Sequence, residues 1–152
     1  MKINNILIWG AGNRTTAYMK KNLFDGTNIL AIVDSYVNGN VFNGYKLIRP
    51  EEIINYKTYD YIVVNNQFYR EIIKKLSELN VSQDKIIITD HVKEEPFRTC
   101  FERAKDVIPM IYDLNRNVFR QIVRVNERDL CDDRTIYSDS RFNDPEYGAD
   151  YF

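Results

Sequence analysis

Ile6-Leu7-Ile8-Trp9 runs without a polar residue into Gly10-Ala11-Gly12-Asn13-Arg14-Thr15, and helix-spaced apolar residues begin immediately afterwards. A short apolar run stopped by glycine reads as a strand buried on both faces, the habit of strands in a parallel sheet. Thr16, Met19 and Leu23 then recur at i, i+3 and i+7, with Lys20, Lys21 and Asn22 between them, until Asp25-Gly26 breaks the period. A parallel neighbour is reached only by a crossover, so this strand–turn–helix unit commits the chain to right-handed β-α-β winding.

The chain continues in kind to about Asp90. Ile29-Leu30-Ala31-Ile32-Val33 is a second buried strand and ends in Asp34. Ser35 to Gly44 holds Gly39, Gly44 and three asparagines and reads as a loop, too short for a full crossover helix. Tyr45 to Ile48 reads as a short edge strand, and Arg49-Pro50-Glu51-Glu52 as a helix start with proline first and acids in the first turn. Tyr61-Ile62-Val63-Val64 is the next strand and closes on Asn65-Asn66. Phe68, Ile72, Leu76 and Leu79 line one face of the clearest helix, and Lys85-Ile86-Ile87-Ile88-Thr89 is a final buried strand.

The expectation is an α/β fold: a parallel sheet of about five strands with flanking helices, followed by a helical C-terminal extension. Residues 1–92 form the sheet domain. Residues 93–126 form the extension, with Pro109 kinking or dividing it. Residues 127–152 are polar, aspartate-rich and without period, an irregular tail or a linker to a further domain. Its Arg134, Tyr137, Arg141, Phe142, Tyr147, Tyr151 and Phe152 suit a docking surface or the opening of another domain.

The turn is where the chemistry is legible. Glycine at position 10 permits a tight reversal, and glycine at 12 lets backbone come close to a phosphate with no Cβ in the way. The free amides of the helix start then face the anion, and the helix dipole favours it. Gly10, Ala11, Gly12, Asn13, Arg14 and Thr15 are therefore the candidate phosphate-binding residues. Thr15 replaces the third glycine of G-x-G-x-x-G, which serves close helix–strand packing. Asp34 stands 24 positions after Gly10, close to the spacing of an acid that receives a ribose hydroxyl, and such a carboxylate repels a 2′-phosphate. Asn65 and Asn66 close the strand after the crossover, at the edge where open sheets bind ligands. NAD or a nucleotide-sugar is the expected ligand. Another anion, an acyl-CoA-like ligand and a purely structural turn stay open.

Several function classes are disfavoured. A net charge of −1 offers no basic excess for holding DNA or RNA. No apolar run approaches the ~20 residues that span a bilayer, and the N-terminus has no signal-peptide pattern, so a cytoplasmic protein is expected. Cys100 and Cys131 form no metal or redox motif and read as free thiols. No metal site is expected. His91, the only histidine, has no nucleophile paired with it by motif. The Tyr-x-x-x-Lys pair of short-chain oxidoreductases is missing: Asn22 follows Tyr18, Ile73 follows Tyr69 and Arg116 follows Tyr112 at the required spacing. Ile8-Trp9-Gly10-Ala11-Gly12 lacks the acid that precedes an S-adenosylmethionine loop. No catalytic residue is assigned, and whether the protein is an enzyme is left open.

Residues Ile6 to about Val92 resemble the N-terminal Rossmann-like domain of bacterial polysaccharide-biosynthesis proteins, among them nucleoside-diphosphate-sugar epimerases/dehydratases and sugar O-acyltransferases. The resemblance is carried by Gly10-Ala11-Gly12-Asn13, Val33-Asp34-Ser35, Gly44-Tyr45-Lys46-Leu47-Ile48 and Tyr59-Asp60-Tyr61-Ile62-Val63-Val64. Asp133 to Phe142 and Gly148 to Phe152 are similar to the segment leading into the catalytic domain of macrocin-O-methyltransferase-like proteins. The resemblance implies a nucleotide or nucleotide-sugar binding domain of a sugar-modifying protein, non-catalytic by itself. Two alternatives stand beside it: an NAD-dependent epimerase/dehydratase-type oxidoreductase, and a structural or oligomerisation module of an O-methyltransferase. The expected partner is a nucleotide-type small molecule, with homo-oligomers formed through the C-terminal helices.

Overall fold

The computed structural model describes residues 3–116. The expectations that fall on 117–126 and 127–152, Cys131 and the aromatic tail among them, lie outside the described residues.

Six strands form one mostly parallel sheet in the order β3-β4-β2-β1-β5-β6. β1 (Asn4–Trp9) lies at the centre, with β2 (Thr27–Val33) parallel on one side and β5 (Tyr61–Val64) parallel on the other. β4 (Tyr45–Ile48) extends the sheet beyond β2, and β6 (Ile86–Ile88) beyond β5, both parallel. The apolar runs that identify these strands are buried because both faces of the sheet are covered: Ile6, Leu7, Ile8, Ile32, Ile62 and Ile87 are all shielded from solvent.

The sixth strand corrects the expected number. Val41–Phe42 (β3) pairs antiparallel with Tyr45 and Lys46, so β3 is the edge and β4 lies inside it. Asn43 and Gly44 join the two with φ of 50° and 85°. A two-residue turn with positive φ at both positions matches the twist of a hairpin, which is why Asn-Gly suits it. The β2–β4 connection carries this hairpin in place of a crossover helix.

α1 (Asn13–Lys20) stops before Leu23 because Asn22 turns to φ 57°. α2 (Tyr69–Glu78) buries Ile72, Ile73 and Leu76. Phe68, expected on that face, occupies the N-cap position and is exposed. Pro50–Asn55 is a 3-10 helix opened by proline, in which the Glu52 carboxylate accepts the Arg49 amide.

Past Val92 the described chain runs through a bend and turn at residues 94–96 before short helices follow. α3 (Phe97–Glu102) and α4 (Ala104–Val107) are followed by a helix over residues 109–116, so Pro109 starts a new helix. Proline is favoured at a first helical position because no amide is needed there. Phe101, Ile108, Ile111 and Tyr112 join the core, and the rings of Phe101 and Tyr112 stack 4.9 Å apart. These helices also protect the free edge of β6. Arg103 Nη1 donates to Ile86 O at 2.5 Å and to Gln83 O at 3.2 Å, and Asn115 Nδ2 donates to Thr89 O at 2.5 Å. An exposed strand edge is a template for unwanted pairing, and Arg103 occupies the Ile86 carbonyl of β6 while the other two contacts lie just before and just after the strand.

Candidate functional site

β1 ends at Trp9, and its two sequence-distant neighbours β2 and β5 end beside it. The connections out of β1 and β5 therefore diverge at this edge, the position at which open α/β sheets place a ligand crevice. Every site residue expected from the sequence lies at this edge.

Gly10 has φ 143°, and a Cβ there would meet the Asn65 carbonyl oxygen at 2.5 Å. Backbone cannot yield cheaply, so glycine is fixed at position 10 by the fold itself. Gly12 differs. Its φ of −135° suits any residue, and a Cβ there would meet nothing within 4 Å. Nothing in the packing asks for glycine at position 12; the space beside it is open.

Gly12 is also the N-cap of α1, and no side chain caps the helix. The first turn holds no acid. Ala11 gives its amide to Asp34 Oδ2 at 3.0 Å. The amides of Gly12, Asn13, Arg14 and Thr15 have no acceptor among the described residues. The first four amides of any helix lack intrahelical partners and carry the positive end of its dipole. Gly12 and Asn13 are exposed and Arg14 is half-buried, whereas Thr15 is fully buried, so the first three amides are the ones a ligand could reach. Asn13 is exposed and its side chain is bonded to nothing among the described residues.

Asp34 is only half-buried and its carboxylate faces the turn. Oδ2 accepts Ala11 N, and Oδ1 accepts Tyr36 N at 2.8 Å and Val37 N at 3.1 Å. A carboxylate offers about four lone-pair positions, so one acceptor position on Oδ2 remains.

The other expected residues have internal partners. Arg14 Nη1 donates to Asp90 Oδ1 at 2.5 Å and to Thr89 Oγ1 at 3.4 Å, tying α1 to the end of β6. Burial pushes the Asp90 carboxyl above its ordinary value, against the Arg14 guanidinium that pulls it down. Asn65 is 2% exposed. Its Nδ2 donates to Thr15 Oγ1 at 3.0 Å and its Oδ1 accepts from Thr89 Oγ1 at 2.8 Å, a buried relay beneath the glycine turn. Thr15, standing where a third glycine was considered, is fully buried and contributes a hydroxyl to this relay. Asn66 Oδ1 accepts Phe68 N at 2.8 Å and so shapes the entry to α2. The structure thus divides the residues in two. Gly12 and Asn13 are exposed at this edge and Asp34 is half-buried there; Gly10, Thr15, Asn65 and Asn66 build it, and Arg14 braces it against the end of β6.

Thr89, Asp90 and Tyr36 take part at this edge without having been singled out. Thr89 and Asp90 lie 50 residues or more from the turn they support, a separation that local patterning does not register. His91 packs edge-on against Phe101 with ring centroids 5.1 Å apart, and desolvation lowers its pKa. No cluster of three or more His, Cys, Asp or Glu side chains exists among the described residues. No helix there is long and apolar enough to cross a membrane. A cavity of about 470 Å³ lies away from the turn, between α1, the start of β2 and the β3–β4 hairpin, with Met19, Ile29 and Tyr45 in its wall.

Residues 2–87 match the model of a family described as C2185-like, N-terminal. The match takes in β1 to β5, α1 and α2 and stops within β6. No curated protein matches the chain.

Proposed function

The chain belongs to the C2185-like, N-terminal family, and we propose that in it the β1–α1 turn binds the phosphates of a nucleotide or nucleotide-sugar. The sheet is read as Rossmann-like and the domain as non-catalytic by itself, serving a protein of sugar or polysaccharide modification. One observation carries the reading: the consecutive amides of Gly12, Asn13 and Arg14 open a helix with no acceptor among the described residues, at a glycine whose missing Cβ the packing of those residues does not require. An anion gains from both the amides and the dipole. Asp34 Oδ2 keeps one lone pair for a ribose hydroxyl, and its negative charge disfavours a 2′-phosphate. NAD and nucleotide-sugars both satisfy these demands.

Thermal denaturation of the full chain with NAD, ADP or a UDP-sugar tests the proposal. A ligand at 100 times its Kd stabilises the folded state by about 2.7 kcal/mol. Gly12→Val should fold normally, because the space beside Gly12 is open, and should abolish that shift. A shift of wild-type size in Gly12→Val would remove the site.

A further inference from the structure

Asp34 and Asn66 follow the two strands that flank β1, and each shapes its turn by the same device. Asp34 Oδ1 accepts the amide of Tyr36 at 2.8 Å, and Asn66 Oδ1 accepts the amide of Phe68 at 2.8 Å. A side chain that accepts the amide two residues on mimics a backbone turn and holds the backbone of the residue it bonds. In both turns the held residue is aromatic and points to solvent: Tyr36 is 90% exposed and Phe68 57%. The loop beneath Tyr36 is pinned further, because Arg49 Nη1 donates to Asp34 O at 2.8 Å and Val37 N donates to Asp34 Oδ1. The other large exposed apolar side chains among the described residues are aliphatic: Ile3, Val41, Ile54 and Met110. The two exposed aromatic ones sit after β2 and after β5, on either side of the glycine turn that ends β1.

The juxtaposition reaches the turn through shared atoms. The carboxylate that holds Tyr36 N also holds Ala11 N, so the base of the Tyr36 loop and the glycine turn are joined by one functional group. Phe68 stands at the N-cap of α2, one residue ahead of the helix that leaves the crevice on the β5 side. Two rings on held turns, one after each strand that flanks β1 and its open amides at Gly12 to Arg14, form a layout for a ligand with an anionic middle and flat ends.

We propose that Tyr36 and Phe68 are stacking walls for planar heterocycles, so that the ligand of this turn is a nucleobase-bearing phosphate ester and not a base-free phosphate or sugar phosphate. The inference rests on the phosphate-binding reading above and sharpens it. Every nucleobase has a π-face, so stacking favours the presence of a base without choosing which one.

Calorimetric titration of the full chain with ADP, NAD and inorganic pyrophosphate separates the two claims. Tyr36→Ala and Phe68→Ala should each weaken NAD about 5- to 100-fold, the range of one lost base–aromatic stack, and leave pyrophosphate as in wild type. Tyr36→Phe and Phe68→Tyr, which keep the ring, should restore nucleotide affinity. Both positions are exposed, so unchanged melting temperatures serve as the folding control. Unchanged NAD affinity in either alanine variant overturns the inference, as does a pyrophosphate affinity that falls in step. Pyrophosphate binding with no gain from ADP or NAD also overturns it while leaving the phosphate site standing. If wild type binds none of the three, the phosphate site itself fails and the stacking walls fall with it.

Discussion

Asp34 Oδ2 takes the amide hydrogen of Ala11 at 3.0 Å, which makes the acid at the end of β2 part of the glycine turn at the end of β1. The same carboxylate receives Tyr36 N and Val37 N on its other oxygen. One side chain therefore sets the mutual position of two loops and leaves one of its own lone pairs to the crevice.

Asp34→Ala is expected to destabilise the fold by about 1–3 kcal/mol, because hydrogen bonds to a charged group carry more than neutral ones and solvent re-satisfies part of what is lost. Urea unfolding of the two proteins measures it. A difference below about 0.5 kcal/mol, the scatter of ordinary surface changes, would mean that the three bonds contribute nothing net.

Gly10→Ala and Gly12→Ala should part company. The first sets a Cβ 2.5 Å from the Asn65 carbonyl oxygen at φ 143° and is expected to cost more than about 2 kcal/mol, through overpacking and backbone strain together. The second enters open space at an ordinary φ and should change stability by less than about 1 kcal/mol. Paired melting curves check the contrast, and equal losses would contradict it.

Asn65→Ala removes two buried hydrogen bonds and leaves the hydroxyls of Thr15 and Thr89 short of a partner. The expected cost is about 2–4 kcal/mol, the desolvation of stranded polar groups added to the lost packing. Adding Thr15→Val and Thr89→Val to Asn65→Ala should cost less than the sum of the three single losses. Strict additivity in that cycle would dissolve the relay as a unit.

His91 gives a pH signature that a single imidazole makes easy to read. Desolvation is the largest influence and lowers its pKa; Lys93 lowers it further and Glu102 opposes both. The unfolded chain therefore binds this proton at a higher pH than the folded one. Its contribution to stability is present above the unfolded value near 6.5 and is lost as pH falls through the folded value. The imidazole resonance should titrate below 6.5 in the native protein, and His91→Gln should flatten this part of the stability profile. A native midpoint at or above 6.5 would reverse the sign.

The sheet was readable in the sequence because its strands are buried on both faces and so appear as apolar runs: Ile6–Trp9, Ile29–Val33, Tyr61–Val64 and Ile86–Ile88 all lie within observed strands. β3 escaped that reading for the opposite reason. It is two residues long, and its Val41 faces solvent, so no apolar run marks it. Its signal was chemical, the Asn43-Gly44 pair that favours a hairpin turn. Phe68 was misplaced because helical spacing cannot distinguish a first-turn residue from the N-cap before it; the Asn66 side chain decides that. At the site, the turn, Gly12 and Asp34 could be found from local spacing alone. The inward commitments of Asn65 and Arg14 could not, because Thr89 and Asp90 arrive from a strand far along the chain.

The Thr15–Asn65–Thr89 relay has a consequence for how such a chain can vary. Its three members come from the first helix, the end of β5 and the residue after β6, and the Asn65 amide joins the two hydroxyls, with Arg14 also reaching that of Thr89. A drift to an apolar residue at Asn65 takes a partner from both threonines, and a drift at either threonine leaves half of the buried Asn65 amide unanswered. Across related chains these three sites should therefore be inherited as a set, hydrophilic together or hydrophobic together, however freely the surface around them diverges.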